Sequence, residues 1–456
     1  MNKTSQIKYN ISLFVVISIC FAIGMVVSSF VFFFYYTFII VTVLIMCVLN
    51  KSNKAFIDTL TIFLSTLLFG FFLAVMVNCD YVHNEVTFLY PDQIDFFENA
   101  KFLASQNSVS ELLDKATMSW SEYNVAYGLF GLLGYFDKLV SGTVNFLPLL
   151  ISVVYLTALI PVYLYHILKI YVSETMALRG SLFYGLLTPI MSYSGYLLRD
   201  IHLALIFIII LFWIVRKVTF TRILGIIILL PIVANLRLAN SLLVLAMLGI
   251  YVFFGKTYRF TRIFFTILSM VFIINVGDQL SDTVKITQSR IDGYEEFTRA
   301  YAEESKGIGK QIYNFPPVIQ KAATIFIGLT NFPFWGKPPV SISFSQFMMI
   351  LYSTITNIGW FFVIVGVFYF IKPIYVVLIK MSSKILFCLV ILFALYILTN
   401  VSNMDLRRIM YVFPFVYIPF IIVYNDLSII QKKKYKHFTI AFGLFLSFTY
   451  VILLLL

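Results

Sequence analysis

The sequence predicts an all-α, polytopic integral membrane protein, and its composition is the first reason. Of the 456 residues, 61% are hydrophobic and only 12% are charged, and the mean hydropathy is +0.94. Water-soluble domains of this length do not carry such a composition. The second reason is that the apolar residues form runs long enough to cross a bilayer as helices. We therefore treat residues 1–456 as a single transmembrane domain.

A spanning helix needs roughly 20 apolar residues, which divides the chain into about 13 candidate spans. The spans are placed at 11–28, 30–49, 55–78, 145–168, 180–198, 201–216, 221–236, 239–255, 262–277, 346–371, 384–401, 409–425 and 437–456. The first run follows Lys3 and Lys8 and resembles a signal peptide. No small-residue cleavage site is obvious and a second apolar run follows at once, so the first run is predicted to be a retained span.

The basic excess supports this division. The formal net charge is +12, but the lysines and arginines form short clusters between apolar runs rather than the contiguous basic face of a nucleic-acid binder. If the N-terminus lies inside, every predicted inner loop carries lysine or arginine, in agreement with the positive-inside rule. No nucleic-acid partner is predicted.

Two long hydrophilic segments, 79–144 and 278–345, then fall on the outer side and hold most of the acidic residues. Each is expected to carry short amphipathic helices. In the first segment, "FLYPDQIDFFENAKFLASQ", apolar residues recur at helical spacing, which predicts a short helix at the membrane surface. These residues are Ile94, Phe97, Ala100 and Leu103. Farther on, Ser108 and Glu111 predict the capping box of a second short helix.

Asp92 and Asp95 share a face of the first turn of that predicted surface helix. As structural residues they would be an N-cap and an acid that compensates the helix dipole. As functional residues they are candidate catalytic carboxylates. The two roles do not exclude each other, because a capping residue can also be held at a catalytic centre.

The second outer segment contains two different stretches. "RIDGYEEFTRAYAEESKG" is charged and is predicted to be a flap over a site. "YNFPPVIQKAATIFIGLTNFPFWGKPP" has an apolar middle that is too short to span and is bracketed by prolines, which predicts an interfacial or re-entrant segment with Trp335 at the headgroup level. Lys321 and Lys337 are either contacts to lipid phosphates or ordinary surface lysines.

Four short outer corners complete the topology, and three of them carry arginine against the usual charge bias. The residues are Arg199, Arg237, Arg407 and Arg408. A single arginine at the end of a span usually snorkels to the interface. Four on one side are more consistent with a phosphate or pyrophosphate ligand, because guanidinium grips phosphate bidentately and keeps its charge.

Asp200 and His202 follow Arg199 in "LLRDIH". Asp200 is expected to orient Arg199 as an ion pair or to face the reaction centre. His202 is either a proton acceptor near neutral pH or a hydrogen-bonded structural residue. The chain has no phosphate-binding glycine loop, no G-x-S-x-G and no H-E-x-x-H, and its four cysteines lack metal-site spacing. No cofactor and no metal are predicted.

The stretches "YPDQIDFFENAKFLA", "YNVAYGLFGLLGYF", "VNFLPLLISVVYLTALIPVYLYHILK" and "LTPIMSYSGYLLRDIHLALIFIIILFW" together resemble the bacterial GT-C-type multispanning glycosyltransferases and O-antigen polymerases. The resemblance covers roughly residues 80–240, and "NMDLRRIMYVFPFVYIPF" is a weaker match. The chain departs from the simple GT-C pattern because three predicted spans, not one, precede the acidic loop.

The resemblance implies a GT-C-like enzyme of the bacterial inner membrane that polymerises polyprenyl-pyrophosphate-linked oligosaccharides at the outer face. It implies a lipid-linked donor and acceptor as partners, and a chain-length regulator protein as a further one. Asp92 or Asp95 is the matching acidic position, and Arg199, Arg237, Arg407 and Arg408 match pyrophosphate contacts. The alternatives are a flippase for the same lipids, a transferase using a polyprenyl-phosphate monosaccharide, or an acetyltransferase relying on His166 or His437.

Overall fold

The computed structural model describes residues 3–49, 52–84, 92–119, 124–216, 218–254, 315–334, 342–381, 384–400 and 406–455, with a few positions between 262 and 274. Within these ranges the regular structure is entirely helical and no strand occurs. The all-α prediction is therefore confirmed.

The helices of the N-terminal half are α1 (Lys3–Val27), α2 (Val31–Leu49), α3 (Asn53–Asn84), α4 (Asp92–Ala104), α5 (Val109–Ser119), α6 (Asn124–Ser141), α7 (Phe146–Leu168), α8 (Glu174–Leu187), α9 (Pro189–Ser192), α10 (Asp200–Ile214), α11 (Phe220–Leu236) and α12 (Leu238–Phe254). Those of the C-terminal half are α13 (Pro317–Thr330), α14 (Phe344–Tyr369), α15 (Ile371–Lys380), α16 (Lys384–Asn400), a 3-10 helix (Leu406–Val412), α17 (Phe413–Asp426) and α18 (Ile429–Leu455).

Five helical stretches in the described ranges are long and apolar enough to cross a membrane by length and composition. They are Thr4–Val27, Asn53–Asn84, Phe146–Leu168, Phe344–Tyr369 and Ile409–Asp426. The chain is thus a helical membrane protein. Other predicted spans coincide with shorter apolar helices such as α10, α11 and α12, and the predicted span 262–277 lies largely outside the described residues.

One predicted span, 180–198, is not a continuous helix. α8 ends at Leu187, and Thr188 is extended at φ −118°, ψ 162°. Pro189 imposes this break, since the residue before a proline is disfavoured in the helical region and proline itself suits a first helical position. The short α9 ends at Ser192, and the chain then turns until α10 begins at Asp200.

The chain divides into two compact units. Unit 1 comprises residues 1–209, 235–237 and 337–356, and unit 2 comprises residues 210–234, 238–336 and 357–456. In unit 1, α3 and α7 are the most deeply buried long helices, and two thirds or more of their apolar windows are enclosed by protein. The loop helices α4, α5 and α6 pack on one another in the same unit.

A buried polar network in unit 1 joins α1, α3 and α7. Asp58, on α3, accepts a hydrogen bond from the Gln6 amide at 2.9 Å and another from the Tyr165 hydroxyl at 2.8 Å. The Gln6 amide also donates to the Thr61 hydroxyl at 3.0 Å. Asp58 is only 2% exposed. Helices surrounded by lipid gain little from hydrophobic association with one another, so such hydrogen bonds help to hold them together.

An ion-pair cluster lies next to that network at the start of α8. The Glu174 carboxylate forms ion pairs with the ammonium groups of Lys169 at 2.8 Å and Lys54 at 2.7 Å. Hydrogen bonds from Lys169 and then Lys54 lower the pKa of Glu174 to about 2. Because the folded-state pKa is depressed, the contribution of Glu174 to stability is complete above its ordinary pKa and is lost as the pH falls toward 2.

A second buried carboxylate, Asp137 near the end of α6, forms hydrogen bonds with residues in two turns of unit 1. It accepts from the Ser28 hydroxyl at 2.6 Å, in the turn between α1 and α2. It also accepts from the Asn145 backbone N–H at 2.5 Å and from the Asn145 side chain at 3.1 Å, just before α7. Asp137 is fully buried and Ser28 is 3% exposed, so removal of the carboxylate takes a buried acceptor from the Ser28 hydroxyl and from the Asn145 N–H.

In unit 2, the stretch that was predicted to be interfacial or re-entrant contains the helix α13, which ends at Asn331 in the left-handed conformation (φ 51°, ψ 42°). Ring contacts run from Phe326 to Phe368 and Phe442, and from Phe332 to Tyr450. α13 therefore runs in the same direction as α18 and opposite to α14.

The direction of α13 places its start near the lysine-rich turns of unit 2. Tyr369 and Phe370, at the end of α14, pack on Tyr435 in the lysine-rich first turns of α18. The Pro317 end of α13 points toward this lysine-rich end of unit 2. The predicted flap, Trp335 and Lys337 lie outside the described residues.

Replacing Asp137 with alanine is expected to lower the free energy of unfolding by at least about 2 kcal/mol, because it leaves buried donors without an acceptor. Thermal unfolding of the purified protein in detergent measures the effect. The control is Glu98→Ala, which breaks an exposed i,i+3 pair with Lys101 and is expected to change little. Equal unfolding temperatures for Asp137→Ala and the unsubstituted protein would refute this role.

Candidate functional site

The candidate site lies in unit 1, where α10 begins. The chain from α9 to α10 rests directly on α3, and Gly195 makes this close approach possible. A Cβ at residue 195 would lie 3.0 Å from the Leu73 carbonyl carbon and 3.1 Å from the Ala74 nitrogen, which are backbone atoms of α3. Any larger residue would push the turn away from α3. Gly195 therefore fixes the position of Arg199 and Asp200 relative to the helix bundle.

Asp200 is the first residue of α10 and is only 4% exposed. Its Oδ1 lies 3.5 Å from a guanidinium nitrogen of Arg237, which is the single non-helical residue between α11 and α12. A carboxylate at a helix N-terminus also interacts favourably with the helix dipole. Arg237 is thus an ion-pair partner that the structure gives to Asp200.

Arg199 makes a different contact. Its guanidinium donates to the carbonyl oxygen of Leu236, the last residue of α11, at 3.4 Å. The preceding residue of that corner, Asn235, accepts from the backbone N–H of Val125 at 2.8 Å, near the start of α6. The corner Asn235–Arg237 is therefore linked both to the start of α10 and to a loop helix. We call Arg199, Asp200 and Arg237 the arginine corner.

His202 lies within the first turn of α10 and is 8% exposed. Its ring meets Phe130 of α6 edge to face, with centroids 5.5 Å apart. Phe130 in turn packs against Phe96 of α4, so two loop helices cover the histidine. Neither ring nitrogen has a hydrogen-bond partner among the described residues.

The two predicted acidic residues, Asp92 and Asp95, lie in the first turn of α4. α4 buries the face that carries Phe97, Ala100 and Leu103, as the sequence predicts. Asp95 is exposed on another face, where its carbonyl accepts a hydrogen bond from Asn99. Asp92 is the first helical residue, and its side chain lies outside the described residues.

Gln93 is a residue of this region that sequence reasoning missed. It is fully buried, and its side-chain oxygen accepts from the Leu197 N–H at 3.4 Å. This bond connects α4 to the turn that leads into Arg199. A signal was present in the sequence, since Gln93 stands three and four residues before Phe96 and Phe97 and is a polar residue on the buried face.

A further buried carboxylate, Asp80, lies near the C-terminal end of α3 in the same unit. Its Oδ1 accepts from the Asn84 amide at 2.8 Å and from the Gln346 amide at 2.9 Å. Gln346 belongs to the first turn of α14, which it also caps by accepting from the Ser343 N–H. Sequence reasoning missed this contact because nothing in either local sequence links residues 266 positions apart.

The other predicted arginines belong to unit 2. Arg407 and Arg408 are in the 3-10 helix Leu406–Val412. Arg407 is half-buried, and the side chain of Arg408 lies outside the described residues. On the same 3-10 helix, the Tyr411 hydroxyl donates to Asn240 at 3.0 Å and hydrogen-bonds with the Tyr396 hydroxyl.

The described ranges contain no group of three or more histidine, cysteine, aspartate or glutamate side chains that could hold a metal ion. Comparisons with protein-family models, with curated proteins and with solved structures find no match to this chain. The chemistry of the arginine corner is therefore argued from its own residues. Two guanidinium groups, one carboxylate and the start of a helix leave a net positive site, which suits an anionic oxygen ligand.

Replacing His202 with leucine is expected to leave the stability unchanged or slightly higher, because the imidazole has no hydrogen bond to lose and leucine suits the apolar contact with Phe130. The matched control is Gln93→Leu, which removes a buried acceptor and is expected to cost about 1–3 kcal/mol. Thermal unfolding of the two purified variants compares them. A loss for His202→Leu as large as for Gln93→Leu would show that the histidine is a structural residue.

Proposed function

We propose that the protein is a membrane glycosyltransferase that polymerises polyprenyl-pyrophosphate-linked oligosaccharide repeat units, as in O-antigen or capsular polysaccharide synthesis. The observation that carries the proposal is the arginine corner, in which two arginines and a buried carboxylate meet beside a buried histidine without hydrogen bonds in the described residues. The proposal includes a GT-C-like arrangement of about 13 spans. It places the enzyme in the bacterial inner membrane, with its N-terminus in the cytoplasm and the corner at the outer face.

In this reaction a hydroxyl of the acceptor sugar attacks the anomeric carbon of the donor. The bond between that carbon and the phosphate oxygen breaks, and its electron pair leaves with the polyprenyl pyrophosphate. Charge therefore develops on the phosphate oxygen. Arg199 and Arg237 are assigned to bind this oxygen and its neighbours, because preorganised cations stabilise charge that grows in the transition state.

The acceptor hydroxyl also loses a proton, and His202 is the assigned acceptor of that proton. Its ring nitrogens have no partner among the described residues, and a neutral imidazole can take a proton. Asp200 is assigned a positioning role, since it is buried and paired with Arg237. Asp95 is exposed, which weakens its candidacy as the base, whereas Asp92 stays a sequence-based candidate.

The proposed partners are the lipid-linked donor and acceptor, the surrounding membrane lipids and a chain-length regulator. Arg407 and Arg408 stay predicted pyrophosphate contacts from the sequence alone. Pyrophosphate is already a good leaving group, so the proposed reaction does not require a metal ion or a cofactor. The alternatives are a flippase for the same lipids and a transferase that uses a polyprenyl-phosphate monosaccharide.

The alternatives differ in the glycans that a gene deletion leaves behind. Loss of long chains, with single repeat units still displayed at the surface, supports a polymerase. Loss of all exported glycan supports a flippase, and loss of one sugar from every repeat unit supports a monosaccharide transferase. Gel analysis of the surface glycan distinguishes the three outcomes.

Replacing Arg199 with lysine tests the chemistry at the corner. Lysine keeps the charge but cannot bind phosphate bidentately, so polymerisation in complemented cells is expected to fall by about 10- to 100-fold. The control is Arg179→Lys, at an exposed arginine of α8, which is expected to restore wild-type chain length. Full activity of Arg199→Lys, at equal protein level, would exclude the bidentate role.

A further inference from the structure

Unit 2 contains an apolar pocket that the proposed reaction does not use. Its volume is about 570 Å³, and it lies between α13, α14 and α18. Each helix contributes apolar or aromatic side chains, among them Ile325, Phe326, Val365, Tyr369, Phe438 and Phe442. Small-molecule sites in proteins have volumes of about 300–1,000 Å³ and mainly hydrophobic linings. The pocket therefore has the size and surface for part of a hydrocarbon chain.

Three lysines lie within about one helical turn, along the chain, of residues that line the pocket. Lys321 precedes Ile325 by four residues on α13, and Lys434 precedes Phe438 by four residues on α18. Residues four apart share a helix face. Lys372 follows Tyr369 by three residues, just after α14 ends. The sequence analysis left the role of Lys321 open between lipid phosphate and plain surface.

These lysines lie at the same end of the unit. Tyr369 packs on Tyr435 and Phe438 with ring centroids 5.6 and 5.0 Å apart, which brings the end of α14 to the beginning of α18. Phe326 of α13 packs on Phe442, and the Pro317 end of α13 points toward the same place. The helix turns that carry the three lysines therefore lie at one end of the pocket, which we call its mouth.

The charge around that mouth is strongly one-sided. Lys321, Lys372 and Lys434 are exposed, and none makes an ion pair with the described residues. In the described part of unit 2, Asp426 is the single acidic residue. Basic residues near a membrane surface attract anionic lipid headgroups, and each contributes a similar amount to the free energy of binding.

We propose that this pocket binds an anionic phospholipid. One hydrocarbon chain lies between α13, α14 and α18, and the phosphate is bound by Lys321, Lys372 and Lys434. By the positive-inside rule the lipid comes from the cytoplasmic leaflet. The proposal does not depend on the glycosyltransferase function, because it uses another surface and other residues.

The test measures binding of phosphatidylglycerol to the purified full-length protein by native mass spectrometry and by the shift in unfolding temperature. The variant replaces Lys321, Lys372 and Lys434 with glutamine. The matched control replaces Lys380, Lys433 and Lys436 with glutamine. These lysines are exposed, and none lies three or four residues along the chain from a residue that lines the pocket. Both triple variants lose the same charge.

We expect the apparent affinity for phosphatidylglycerol to fall roughly fivefold for each pocket lysine removed and to stay near wild type in the control. High salt is expected to weaken the binding in the wild-type protein. A Val365→Trp substitution, which fills the pocket, is expected to remove the lipid while leaving the lysines in place.

Four results would overturn the proposal. The first is an equal loss in the control variant, which would mean diffuse attraction. The second is equal binding of phosphatidylcholine, which would remove the role of the lysines. The third is stabilisation by inorganic phosphate alone, which would remove the role of the pocket. The fourth is preferential binding of polyprenyl phosphate, which would assign the pocket to an isoprenoid.

Discussion

A charged or hydrogen-bonding side chain that is buried in a membrane domain needs a partner inside the protein, and the architecture of unit 1 depends on this constraint. Asp58 joins α1, α3 and α7, Asp137 joins the turn after α1 to the start of α7, and Asp200 joins α10 to the corner before α12. Each carboxylate connects segments that are distant in sequence. Since lipid offers no competing hydrogen bond, these contacts determine which helices lie side by side.

The same constraint distinguishes the arginine corner from the structural clusters. The acceptor oxygens of Asp58 and Asp137 are occupied by well-placed donors at 2.5–2.9 Å. Arg199 donates to the Leu236 carbonyl at 3.4 Å and Arg237 lies 3.5 Å from Asp200, while the neighbouring imidazole has no hydrogen-bond partner in the described residues. A buried imidazole of this kind beside two cationic side chains is typical of a site that is completed by a ligand.

Composition and hydropathy were sufficient to predict the fold class, because the length of an apolar run is a local property. The unusual arginines Arg199 and Arg237 were also visible, and the structure places both at one corner. The break at Pro189, the pairing of Asp200 with Arg237 and the contact of Gln93 were not predicted. These features depend on which segments are in contact in the folded chain. The direction of α13 relative to α14 and α18 depends on the same contacts. The exposure of Asp95 shows the same limit, since the face of α4 that is buried depends on the segments that pack against it.

The most direct test of the central claim is equilibrium binding of a polyprenyl-pyrophosphate-linked repeat unit to the purified protein in nanodiscs, comparing the wild type with Arg237→Lys. Lysine keeps an ion pair with Asp200, so the unfolding temperature is expected to stay within a few degrees of the wild type. The affinity is predicted to fall by about tenfold or more, because the bidentate grip on phosphate is lost. Unchanged affinity in a stable Arg237→Lys protein would contradict the assignment of the arginine corner as the pyrophosphate site.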